Sequence, residues 1–172
     1  MDVRLVRPST DFKRSYLDMM EEWNASGEKL VPFILEEDTE NFEGMVALLE
    51  GYKLGKGIPS SFVEHSTFWL ADRNDRLLGA INIRHRLNER LKKVGGHIGY
   101  GVRPSERRKG YASKMLQLAL LEARKLGLSE VLLTCSKENT ASAKTILNNG
   151  GRLDSEQEDE SGGVTQRYWI RI

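Results

Sequence analysis

The spacing of hydrophobic residues changes period several times along this chain, and each change marks an element. Val3 and Leu5 alternate with Arg4 and Val6 before Pro8, which predicts a short first strand that ends at a turn. Ser9 or Thr10 can then cap a helix whose apolar stripe is Phe12, Tyr16, Met19, Met20 and Trp23 and which stops near Gly27. The segment SGEKLVPFILEED carries Pro32 and no clear period, so it reads as a loop. A second helix follows on Phe42, Met45, Val46 and Leu49. Glycines 51, 55 and 57 with Pro59 close this helical half and lead to a hairpin, STFWLAD and LLGAINIRH, turned at Arg73–Arg76.

The second half of the chain is patterned more sharply. HIGYGV reads as a strand, and RPSERRKGYA after it is a loop with Pro104 at its start and Gly110 near its end. Ala112, Met115, Leu116, Ala119, Leu120 and Ala123 then form the cleanest amphipathic stripe in the sequence, ended by Gly127. EVLLTCS is a short apolar strand. Asn139 caps a further helix carrying Ala143, Ile146 and Leu147, and Gly150 with Gly151 terminates it. GGRLDSEQ and VTQRYWIRI supply two last strands around Gly162 and Gly163. The order is one strand, two helices, three strands, helix, strand, helix and two strands, which is a mixed α/β domain.

Composition narrows this further. A chain of 172 residues suits one domain, here residues 1–172, because it can bury roughly two thirds of its unfolded surface without disulfides or a structural metal. Hydrophobic residues at 39% and charged residues at 30% give a globular balance. With a single cysteine, Cys135, and three histidines in no paired spacing, no disulfide framework and no metal site are expected. The N-terminus lacks the apolar core of a signal peptide, and no stretch approaches the roughly 20 apolar residues of a membrane helix, so a cytoplasmic protein without membrane contact is expected. A net charge of +1 argues against a nucleic-acid partner.

The candidate chemistry lies in Arg107, Arg108, Lys109, Gly110, Tyr111 and Ala112, between a strand and the N-terminus of the strongest helix. Unpaired amides of a first helical turn and the positive end of the helix dipole favour an anion, and three successive cations add to that field. A side chain at Gly110, or a large one at Ala112, would stand where a diphosphate approaches the amides. The plainer alternative is a solvated basic loop turned by a glycine. Two familiar phosphate loops do not fit. GYGVRP places Pro104 where a dinucleotide fingerprint needs its third glycine, and GYKLGKG lacks the Gly-Lys-Ser/Thr ending of a nucleotide-binding loop.

Arg107, Gly110 and Ala112 match the Arg/Gln-x-x-Gly-x-Gly/Ala signature of the GCN5-related N-acetyltransferase family, and the chain resembles that family over most of its length. HIGYGVRPSERRKGYA resembles the fourth strand and pyrophosphate loop, VLLTCSKEN the fifth strand, and NTASAKTILNNGG the helix after it. The resemblance implies the acyl-CoA N-acyltransferase fold, an α/β (α+β) domain with a mixed, mostly antiparallel central sheet of about six to seven strands flanked by four helices. It also implies direct transfer of the acetyl group of acetyl-CoA to a primary amine of a small molecule or peptide, with no metal. A homodimer is compatible with it. A catalytically weak or inactive CoA-binding module is the alternative, and a nucleic-acid-binding domain built on the RRK loop is disfavoured.

Within the resemblance, Gly101, Val102 and Arg103 would pair with the pantetheine arm, and the amides from Arg108 through Lys109, Gly110 and Tyr111 to Ala112 would hold the diphosphate. Arg107 would brace the loop. Asn139 and Ser142 match positions that contact the cofactor arm or its diphosphate, with ordinary helix capping as the alternative. His97 stands ten residues before Arg107, where many members carry a glutamate, and is the expected base for the amine. The family often has a tyrosine seven residues after the cap asparagine, and Ile146 occupies that place. Isoleucine has no proton to give, so Tyr100, Tyr111 and Tyr168 are candidates to assist the thiolate, or it leaves unassisted. His65 reads as a surface polar group, and His85 as a weak candidate for the acceptor pocket. The segments Gly27–Asp38 and His85–Lys93 are the expected pocket walls. Cys135, in an apolar strand without a neighbouring histidine, is not expected to act as a nucleophile.

Overall fold

The computed structural model describes residues 2–172. β1 (Val3–Val6) leads through a 3-10 turn capped by Ser9 into α1 (Lys13–Ala25), and a loop with a second 3-10 turn at Phe33–Glu36 leads to α2 (Phe42–Tyr52). β2 (His65–Asp72) and β3 (Leu77–Arg84) form the hairpin, then come α3 (Glu89–Lys93) and β4 (Ile98–Val102). α4 (Tyr111–Lys125), β5 (Glu130–Ser136), α5 (Thr140–Asn148), β6 (Arg152–Glu158) and β7 (Val164–Arg171) complete the order. α3 adds a fifth helix to the four expected. Asn88 caps it by accepting from the Leu91 amide, and the burial of Leu91 holds this short turn in place.

The strands form two antiparallel sheets, β1-β2-β3-β4 and β5-β7-β6. The expected central sheet is therefore split between β4 and β5. Both faces of β2 and β3 are covered, which is why these strands read as nearly unbroken apolar runs. Phe68, Leu70, Ile81 and Ile83 pack on one face with Met115, Leu116 and Ala119 of α4 and Val131 and Leu133 of β5. Trp69, Ala71 and Ala80 pack on the other with Tyr16, Trp23, Phe42 and Leu49 of α1 and α2. The Tyr16 and Trp69 rings lie 4.7 Å apart between centroids, and each such fully buried large side chain contributes about 2 kcal/mol of transfer free energy. These two layers fix β4 as the edge of one sheet and β5 as the edge of the other. Among the described residues no helix is long and apolar enough to cross a membrane.

Candidate active site

The bonding of β4 to β3 decides what β4 shows to its other side. The Arg84 amide donates to the His97 carbonyl at 2.7 Å, and the Arg103 amide donates to the Leu78 carbonyl at 2.9 Å. Odd-numbered residues of β4 therefore face β3, and alternation turns the N–H and C=O of Tyr100 and Val102 toward β5. On β5, Ile172 donates to the Ser129 carbonyl and Lys137 to the Val164 carbonyl. Odd residues there serve β7, so Leu132, Thr134 and Ser136 turn their backbone groups toward β4.

These two edges meet at one level. The His97 amide donates to the Leu132 carbonyl at 2.7 Å, and the Leu132 amide donates to Nδ1 of His97 at 2.9 Å. Gly96 makes the joint possible, since its φ is +59° and a Cβ there would run into the Leu132 carbonyl. Beyond the joint no backbone hydrogen bond links β4 to β5 among the described residues. The result is a wedge between Tyr100 and Val102 on one side and Thr134 and Ser136 on the other. An extended chain with amide groups is the natural filling for such a pair of edges.

The mouth of the wedge leads to the N-terminus of α4. Gly110 adopts φ +83° and no side chain caps the helix. From Arg108 to Ser113 no backbone N–H has an acceptor among the described residues, so the dipole and a run of free amides point at one place. The three cations of this loop divide their tasks. Arg107 turns back, donating from Nε to the Val102 carbonyl at 3.0 Å and pairing with Glu28 at 2.6 Å, so it braces the loop. Lys109 pairs with Glu106 at 3.0 Å. Arg108, exposed and held at φ +60°, has no carboxylate partner among the described residues.

The expected site residues separate on inspection. Of Gly101, Val102 and Arg103, Val102 alone turns its backbone to the wedge, and Arg107 occupies its carbonyl. Arg103 is a correction. Its amide serves β3, and its side chain, 3% exposed, binds Glu22 and Asp18 of α1. Gly101 faces β3 as well, and a Cβ on it would strike the Val31 carbonyl. Asn139 accepts from the Ser142 amide at 3.0 Å, which is ordinary capping of α5. The Ser142 hydroxyl reaches the wedge, where it lies 3.0 Å from the Tyr100 hydroxyl. Burial pushes Tyr100 up to about 12 against the lowering effect of that hydrogen bond. Of the other two tyrosines, Tyr168 bonds Gln166 on β7 and Tyr111 begins α4. Burial also raises the Cys135 thiol, which keeps it protonated. Ile146 is fully buried in the core, so its position opens on no pocket. His97 is 6% exposed, with its Nδ1 lone pair engaged by Leu132, and burial, followed by repulsion from Arg84, lowers it to about 4.

On the α1/α2 face, next to the joint, lies a group that the pattern reading passed over. His65, Thr67, Asn82 and Arg84 share that face under Phe33, whose ring lies 5.4 Å from the Arg84 guanidinium and 5.4 Å from the His65 ring. Asn82 donates to Nδ1 of His65 at 2.8 Å and to Thr67 at 3.2 Å. Its Oδ1 is buried without a partner. His65 is lowered to about 4, first by burial and then by Arg84 and His85, so it is neutral at pH 7. His85 instead lies on the opposite face, 2.8 Å from the Ser66 hydroxyl. The surface role expected for His65 is thus corrected, since its ring is buried within this group, while His85 points away from it. The available signal was Asn82 and Arg84 at period two inside an apolar strand.

A sequence model of the acetyltransferase (GNAT) family matches residues 5–147. No curated protein matches the chain. Among solved structures, a ribosomal L7/L12 α-N-protein acetyltransferase in complex with coenzyme A superposes with a TM-score of 0.73 at 14% identity, covering 100% of this chain and 95% of its own. A microcin C7 self-immunity acetyltransferase in complex with acetyl-CoA and AMP gives 0.69 at 13%, covering 99% and 93%. The spermidine N-acetyltransferase of Vibrio cholerae gives 0.63 at 15%, covering 98% and 92%. At these identities the likeness is one of fold.

Proposed function

The chain belongs to the acetyltransferase (GNAT) family, and from that premise we propose that it passes the acetyl group of acetyl-CoA to a primary amine, of a small molecule or a peptide, in a ternary complex. The wedge that opens beyond the His97–Leu132 joint and leads to the free amides of Arg108–Ser113 carries this reading. The Val102 amide and the edge groups of Thr134 and Ser136 suit the amides of a pantetheine arm. The α4 N-terminus with Arg108 suits a diphosphate. Two of the structural neighbours, bound to acetyl-CoA or coenzyme A, support the choice of donor.

In the proposed step the amine lone pair forms a C–N bond to the thioester carbonyl carbon, the C–S bond breaks, and the sulfur departs as thiolate. The protein contributes mainly by aligning the two reactants. Tyr100, raised to about 12, is a poorer acid than a thiol and would serve as a hydrogen-bond donor to the departing sulfur rather than as its proton source. The nitrogen sheds one proton, to His97 or to water, and the thiolate takes one from water. His97 takes the amine proton only by exchanging the Leu132 amide at Nδ1 for it. His97→Asn tests this, because the asparagine Oδ1 can keep the Leu132 bond but cannot titrate. A pH profile of kcat/KM that loses an acid limb near pH 4 assigns the proton to His97, and an unaltered profile leaves His97 as the joint alone.

Titration calorimetry with acetyl-CoA, followed by thiol release in the presence of an amine panel, tests the whole reading. Binding that weakens with salt, and by about tenfold in Arg108→Glu, is expected. Binding without transfer to any amine would leave a CoA-binding module, and absence of binding would overturn the proposal.

A further inference from the structure

Arg84 is a largely enclosed cation that the protein leaves half used. Its Nη1 donates to the Gly95 and Gly96 carbonyls at 3.2 and 3.1 Å, and the Phe33 ring covers the guanidinium. Those contacts fix the plane of the group. The remaining edge, Nε–H with Nη2–H, has no acceptor among the described residues, and neither nitrogen is among the atoms sealed from solvent without a partner. That edge is the one that grips an oxyanion through two parallel hydrogen bonds. No carboxylate pairs with it. Glu64 is taken by Arg86 at 2.9 Å, and Glu37 by the Tyr52 hydroxyl at 2.8 Å. Burial, followed by repulsion from the cation Arg90, lowers the guanidinium to about 10.

Asn82 lies two residues earlier on the same face of β3. Its amide nitrogen points at His65 and Thr67 of β2, so its Oδ1 turns away from β2, toward β4, whose Gly99 is opposite. That oxygen is fully buried and unpaired among the described residues, a cost that a donor from outside would relieve. Gly99 adds no side chain there, and a Cβ on it would lie 3.5 Å from the Pro32 side chain and 3.9 Å from Arg84 Nη1. Arg84 is opposite His97 at the closed joint, while Asn82 is opposite Gly99, the first level at which the wedge is open. An acceptor and a cation thus share one face of β3, about 7 Å apart between alternate residues and one strand away from the wedge.

We propose that the amine this protein acetylates carries an oxyanion, a carboxylate or a phosphate, which Arg84 binds while Asn82 Oδ1 accepts from the amine. The inference rests on the acetyltransferase reading and adds the class of acceptor to it. An amino acid or a phosphorylated amine fits, and a polyamine such as spermidine would bring positive charge against Arg84.

Matched amines that differ only in the anion test this: β-alanine against β-alanine amide, and phosphoethanolamine against ethanolamine, with spermidine alongside. The anionic member of at least one pair should have kcat/KM higher by about tenfold or more, and Arg84→Gln should abolish that preference mainly through KM. The carboxylate and phosphate pairs identify which anion is meant. A panel in which neutral amines or spermidine are preferred, or a variant that slows both members of each pair equally, overturns the inference. Acetyl-CoA affinity measured separately keeps the two readings apart, since its absence sinks the acetyltransferase reading first. Should no amine react, the Arg84 Nε–H resonance of the whole protein, titrated with acetate and then with inorganic phosphate, decides the matter. A saturable shift supports the site, and no shift with either anion removes it.

Discussion

Two arginines near the ends of β4 are both enclosed but stand in opposite electrical surroundings. Arg103, at the C-terminal end, donates from Nε to Glu22 at 2.8 Å and from Nη2 to Asp18 at 2.9 Å, and Glu22 in turn accepts from the Ser105 amide at 2.6 Å. Burial pushes the Glu22 carboxyl up, yet the Ser105 amide and Arg103 outweigh it and hold it at about 2. That region is closed within itself, tying α1 to the loop before α4. Arg84, by the N-terminal end, is held by two carbonyls and an aromatic ring and has no anion. A buried charge satisfied by the protein builds structure, whereas one left open is available to a ligand.

The largest effect should come from breaking the closed region. Glu22→Gln leaves Arg103 with Asp18 alone and is expected to cost about 3 kcal/mol in urea unfolding. A loss below about 1 kcal/mol would show that Asp18 suffices, and the contrast would weaken. Acid should resolve both regions in one profile. His65 and His97 have folded values near 4 against 6.5 for a free imidazole, so the unfolded chain binds more protons and stability falls as pH drops from 6.5 toward 4. Glu22, at about 2 against 4.5, adds a second decline below pH 4.5 that continues toward 2. Glu22→Gln should shrink the lower decline, to which the Glu106 carboxyl lowered by Arg76 also contributes, and leave the upper one. The smallest effect is expected for Arg84→Met, which removes a desolvated cation along with two hydrogen bonds and orphans no carboxylate. Its stability should stay within about 1 kcal/mol of wild type. A cost as large as that of Glu22→Gln would make Arg84 a structural residue like Arg103.

Much of this architecture was legible in order and kind. The stripe of α4, the hairpin and the caps Ser9 and Asn139 all lie where the periodicity predicts, because each depends on neighbours within a few residues. The glycine turn with the uncapped helix start after it was readable for the same reason, since Gly110 and α4 are contiguous. Ile146 shows the limit. It holds the place of a family tyrosine, but only packing reveals that it is fully enclosed among core side chains.

The sequence by itself determined most of the elements, the family and the glycine-started helix with its basic loop, since local bonding and short-range sterics are written in adjacent residues. Tertiary structure alone decided which edges of β4 and β5 stay open, that His97 spends its lone pair on Leu132, and that Arg103 is paired while Arg84 is not. Those outcomes depend on contacts between residues far apart in the chain, such as the 35 positions between His97 and Leu132 or the 81 between Arg103 and Glu22. A charge or a lone pair has no fixed meaning until its partner, or the lack of one, is in place.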